Sequence, residues 1–135
     1  MTRYVYAEVD ARRLDAGQLA DAEDVLDEAR SQLDLTGRGV AVAIRWYVRS
    51  ELAGEYELTR YGRRLDVPDA RKLSGWYLDR GWVAVRADQS RRDIALTVAH
   101  EAYHAWQEHH GKPLDEASAE RFAQRLVAHL QGEAA

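Results

Sequence analysis

Apolar and polar residues recur along this chain with two periods, and the switches between them mark its elements. Tyr4-Val-Tyr-Ala-Glu-Val9 is rich in β-branched and aromatic residues and predicts a first strand. Asp15 followed by Gln18 resembles a capping box, after which Leu19, Ala22, Val25, Leu26, Ala29 and Leu33 recur at helical spacing. The other side of that helix, Asp21, Glu23, Asp24, Asp27 and Glu28, reads as a solvated acidic face. Gly37 and Gly39 break the pattern, and the apolar run Val40–Val48 predicts a central strand buried on both faces. Residues 55–61 and 63–67 are weaker strand candidates, while Pro68 and Gly75 mark loops. Trp82-Val-Ala-Val-Arg86 predicts a short strand between Gly81 and Asp88.

Ser90-Arg-Arg-Asp93 supplies a second capping box and opens a helix that must stop near Gly111 and Pro113. A last helix is predicted from about Leu114 to Leu130, packing through Ala119, Phe122, Ala123, Leu126, Val127 and Leu130. The order β-α-β-β-β-α-α predicts an α+β fold, a small mixed sheet packed on helices. No repeat, linker or low-complexity tract divides residues 1–135, which fit a single domain.

Composition narrows the chemistry. The chain is 46% hydrophobic and 31% charged, as in ordinary globular proteins. It has no Cys, which excludes a disulfide framework, a thiolate metal site and a cysteine nucleophile; any metal must be held by His, Asp or Glu. The N-terminus lacks the apolar core of a signal peptide and no run is of membrane length, so a cytoplasmic location and no membrane partner are expected. A net charge of −4 argues against nucleic acid as a partner. That charge is uneven, with four basic and nine acidic residues over 1–35 but nine basic and five acidic over 60–93.

Within the helix opened by Ser90 lies His100-Glu101-Ala-Tyr-His104. Residues four apart share one face of a helix about a turn apart, so both imidazoles can hold one metal ion. Glu101 projects beside them, where a carboxylate can accept a proton from a metal-bound water. Thr97, His100, Glu101, His104, Gln107 and Glu108 form one polar stripe on a helix otherwise apolar: Ile94, Ala95, Val98, Ala99, Ala102, Ala105 and Trp106. Such a helix is normally buried, and unpaired polar burial costs on the order of several kcal/mol, which a divalent cation would offset.

Catalytic zinc usually has three protein ligands and one open position. His110, Asp115, Glu116 and Glu120 are the candidates for the third. His110 has the spacing of the metzincin motif. However, Gln107 stands where that motif has the glycine that turns the chain back, and Met1 is the sole Met, so a methionine turn is impossible.

The stretch Glu116-Ala-Ser-Ala-Glu120-Arg-Phe122-Ala, following a reversal at Gly111-Lys-Pro113, resembles the gluzincin metallopeptidases, in which His-Glu-x-x-His is followed by a helix bearing Glu-x-x-x-Asp. It is also similar to the ImmA/IrrE-type small peptidases, with Glu-x-x-Ala-Asn-x-Phe-Ala. The resemblance covers residues 97–123. It implies a zincin-like fold with an active-site helix followed by a Glu-bearing C-terminal helix, and a Zn2+ cofactor held by His100, His104 and Glu116. It further implies that Glu120 orients the His100 ring from behind and that Glu101 is the general base in peptide hydrolysis, with a peptide or protein as substrate. Glu120 departs from the Asp or Asn of both patterns and the gap from His104 is short, so Glu116 and Glu120 both remain open as the ligand.

In zincins an edge strand above the active helix binds the substrate backbone. The resemblance places Trp82, Ala84 and Arg86 in that role, because their strand precedes the helix. Tyr56, Tyr61, Tyr77 and the arginines of 60–72 are alternatives for stabilising an oxyanion. A different class of function is a zinc-binding regulatory module with little hydrolysis, meeting an acidic partner through Arg60, Arg63, Arg64, Arg71, Lys72, Arg91 and Arg92.

Overall fold

Each helix starts on a side-chain cap that the sequence supplies. In the computed structural model, which describes residues 4–33, 35, 42–50, 64–67, 73–79 and 81–132, helix α1 spans Ala16–Gln32, α2 Arg91–His109 and α3 Glu116–Leu130. Asp15 Oδ2 accepts the Gln18 N–H, Ser90 Oγ the Asp93 N–H and Asp115 Oδ1 the Ala117 N–H, each at 3.1 Å. Each bond satisfies one of the donors that a helix start leaves without an intrahelical partner. The final helix therefore begins two residues later than its apolar pattern suggests, with Leu114 outside it and Asp115 as its cap.

Helix α2 ends on Gly111, whose φ of +65° is a left-handed conformation that favours glycine. Gly111 N–H donates to Glu108 O and Lys112 N–H to Gln107 O, at 3.0 and 2.8 Å. This closure reverses the chain and lays α3 back along α2.

Five strands form one mixed sheet: β1 (Tyr4–Val9), β2 (Ala43–Ser50), β3 (Arg64–Val67), β4 (Gly75–Asp79) and β5 (Trp82–Arg86). Their spatial order is β3-β1-β2-β5-β4, antiparallel except for the parallel β2–β5 pair. The α+β class is as expected. The central strand begins at Ala43, with residues 40–41 outside the described set, and so does the 55–61 candidate.

Two expectations are corrected here. Gly75 opens a strand instead of marking a loop, and β5 is not an edge. β5 is hydrogen-bonded to β2 on one side and β4 on the other, so Trp82, Ala84 and Arg86 cannot take an added strand. Their side chains also point the wrong way. With a period of two, Val83 and Val85 face the helices, whereas Ala84 packs with Tyr6, Tyr47 and Trp76 on the opposite side of the sheet. The edge strand beside α2 is β4.

The main core lies between the sheet and the three helices. Trp46, Val83 and Val85 meet Leu26, Val98, Phe122 and Leu126 there. α2 sits at its centre, against β4 and β5, α1 and α3. Ala95, Ala99, Ala102 and Ala105 are all buried, and their small side chains allow that close approach. Among the described residues, no helix is long and apolar enough to cross a membrane.

Gly75 is where β4 presses on α2. A Cβ placed there would stand 2.2 Å from Thr97 Cγ2 and 2.5 Å from Ala84 O. The contact with the Ala84 backbone has no flexible tip to move aside, so the strand itself must shift. Gly75→Ala is therefore expected to destabilise the protein by about 1–3 kcal/mol, as overpacked core positions do. Chemical denaturation of the two proteins measures it, and equal midpoints with equal slopes would show that β4 does not touch α2 this closely.

Candidate metal centre

One turn of α2 brings the Nε2 atoms of His100 and His104 to 3.1 Å from each other. The reversal after Gly111 then carries Glu116, the first residue of α3, across both rings. Its Oε2 lies 2.8 Å from His100 Nε2 and its Oε1 2.9 Å from His104 Nε2. The opposite ring nitrogens also have partners. His100 Nδ1 is 3.2 Å from Glu120 Oε2, and His104 Nδ1 is 2.9 Å from Gln107 Oε1.

Acceptors at both Nδ1 atoms favour the proton there and leave the Nε2 lone pairs pointing inward. Two bare nitrogens and a carboxylate then converge, three electron-rich groups with no hydrogen to share. A cation relieves that repulsion. Three ligands at about 2.0–2.2 Å from a tetrahedral zinc ion are spaced roughly 3.3 Å apart, a few tenths of an ångström wider than the separations here. His100, Glu101 and His104 form a group whose ligand atoms all lie within 4.8 Å of one another and that can hold a metal ion. Of Glu116 and Glu120, Glu116 approaches within hydrogen-bond distance of both rings and Glu120 of His100 alone.

Glu101 is in a different environment. It is 6% exposed on the buried part of α2, and among the described residues its carboxyl has no hydrogen-bond partner. Burial pushes its pKa up to about 7; His100 opposes that rise and the negative charge of Glu116 adds to it. The carboxyl borders a cleft of about 580 Å3 between α2, the start of α3 and β4. Leu73, Gly75, Trp76, Leu96 and Leu114 give that cleft apolar walls around the polar floor.

The other candidates lie elsewhere or are already engaged. His110 caps the end of α2, with Nδ1 2.9 Å from Trp106 O and its ring on the Trp106 ring. Asp115 caps α3 and accepts the Ser118 hydroxyl, which holds its carboxyl below the usual range. Tyr77 borders the cleft, but its hydroxyl accepts the Gly81 N–H at 3.1 Å. Arg64 belongs to β3, at the far edge of the sheet. Arg91 is paired with Asp21 and Arg92 with Gln131, each at 2.6 Å. Tyr56, Tyr61, Arg60, Arg63, Arg71 and Lys72 lie outside the described residues.

Two parts of the site are absent from the sequence-based expectations. β4 forms one wall, and only the aromatic pair Trp76-Tyr77 after Gly75 could have signalled it. Gln107 backs His104, and its place three residues on, in the same polar stripe, was the available signal. Compared with known proteins, the chain matches no family model, no curated protein and no solved structure.

The raised pKa of Glu101 has a consequence for the metal-free protein. A carboxyl whose folded pKa exceeds its unfolded value binds its proton more tightly when folded. Its stabilisation is complete below about pH 4.5 and is lost as pH rises through about 7. Chelator-treated protein is therefore expected to lose on the order of 2–3 kcal/mol more than its Glu101→Gln variant between pH 5 and pH 8. Denaturation curves at the two pH values test this, and identical losses in both proteins would place Glu101 in water.

Proposed function

We propose that this protein is a minimal zinc-dependent metallopeptidase, zincin-like in fold and gluzincin-like in its site. The observation that carries the reading is the carboxylate of Glu116 spanning both Nε2 atoms, while Glu101 stays buried beside them and is not needed as a ligand. His100, His104 and Glu116 would hold the ion, and Glu120 would fix the His100 ring from behind. A divalent cation supplies Lewis acidity, acidifying a water molecule and polarising a carbonyl. Zinc suits two imidazoles and a carboxylate in a protein without cysteine.

Glu101 does the proton work. A nearby cation draws its carboxyl back towards the ionised form, in which it is a base. It takes a proton from the attacking water and passes it to the nitrogen of the departing amine.

The substrate backbone would lie along β4 instead of β5. Arg86 N–H donates to Ser74 O, so Ser74 and Trp76 direct their main-chain groups at β5, while Gly75 and Tyr77 direct theirs to the side on which, among the described residues, no strand pairs. An extended peptide pairing with those groups gains affinity with little sequence preference.

Glu101→Gln is expected to keep zinc and the fold while lowering hydrolysis of an unfolded protein by about 10²–10⁴-fold, the usual loss of a general base. Undiminished activity would remove Glu101 from the mechanism. Glu116→Ala is expected to release zinc and His110→Ala to retain it, as measured by elemental analysis after gel filtration. Loss of zinc from the His110 variant alone would overturn the ligand set, and a wild-type protein that takes up no zinc would overturn the whole reading.

A further inference from the structure

Gln107 is 3% exposed, and a side chain with both a donor and an acceptor is not buried without consequence. Its amide oxygen has two neighbours. His104 Nδ1 lies 2.9 Å away, and the backbone N–H of Asp115 lies 3.2 Å away. A backbone N–H can only donate, so the amide atom it meets must be the oxygen. That oxygen can only accept, so the His104 nitrogen facing it must carry a hydrogen. The orientation of the amide and the tautomer of the ring thus follow from one main-chain group. His104 is left with a bare Nε2 pointing at His100 and Glu116.

The same residue controls where Glu116 arrives. Gln107 O accepts the Lys112 N–H at 2.8 Å and closes α2, while its side-chain oxygen holds Asp115, which caps α3. Glu116 is the next residue. Its side chain is 77% exposed, so little packing fixes it, and its position depends on the backbone that precedes it.

We propose that Gln107 is a positioning residue for the metal centre, fixing the tautomer of His104 and the start of α3 through a single shared carbonyl oxygen. It touches neither the ion nor the substrate. The inference rests on the proposed zinc site for its effect on affinity, but its effect on the ring is a property of the metal-free chain.

Gln107→Met removes the acceptor at nearly constant volume, and Gln107→Glu restores one. In metal-free protein at pH 8, nitrogen-15 NMR of the His104 ring is expected to show the hydrogen on Nδ1 in the wild type and in Gln107→Glu. In Gln107→Met the ring is expected to shift towards the Nε2–H form. Zinc affinity, measured by competition with a chromophoric chelator, is expected to fall about 10- to 100-fold in Gln107→Met and to recover in Gln107→Glu. An Nε2–H ring in the wild type, or an unchanged ring in Gln107→Met, overturns the inference. A tautomer shift without any zinc binding by the wild type upholds the role of Gln107 in the ring and overturns the metallopeptidase reading. Equal zinc affinity in all three proteins overturns the role of Gln107 and leaves that reading standing.

Discussion

The burial of α2 constrains the rest of the domain. This helix touches the sheet, α1 and α3, yet Glu101, His104 and Gln107 are each almost wholly removed from water. Buried polar groups destabilise a fold when they lack partners. His104 and Gln107 find theirs on this helix and at the start of α3, while the Glu101 carboxyl has no hydrogen-bond partner among the described residues. The start of α3 supplies Glu116, Glu120 and the Asp115 N–H, and α2 itself supplies the Gln107 amide. What remains is a surplus of acceptors around one point, which is the arrangement a cation stabilises. The helical hairpin, its glycine closure and the Asp115 cap all serve to keep that convergence in register.

Much of this was legible because it is local. Caps at Asp15 and Ser90, the glycine that ends α2 and the apolar spacing of α1 depend on residues within a turn or two of each other. The pairing of His100 with His104 is of the same kind, since helix geometry alone puts them on one face. The place of Glu116 beside them needed only a tight reversal of known position. Sheet order was not legible in this way. Trp82–Arg86 has the composition of a good strand whether it lies inside the sheet or at its edge, and nothing in its five residues encodes its neighbours.

The misreading of Gly75 has a more specific cause. An isolated glycine before an aromatic pair usually signals a turn, but here it permits contact between a strand and a helix. Thr97 Cγ2 and Ala84 O occupy the space a side chain would need, so glycine is required by two residues far away in sequence. The same close approach narrows the distance between the β4 edge and the polar stripe of α2.

The short gap between His104 and Glu116 puts that carboxylate at the surface, where its side chain is 77% exposed. α2 continues for little more than a turn past His104, and Glu116 must follow directly on the cap of α3. A carboxylate in that first turn is favoured by the positive end of the helix dipole with or without a metal. Its solvent exposure costs little, because the neighbouring backbone is fixed by Gln107 and Asp115. The position of the carboxylate is thereby separated from core packing: His100 and His104 are set by the helix at the centre of the core, Glu116 by a turn at the surface. Such a division lets two imidazoles and an exposed carboxylate converge on one point although they belong to two different helices.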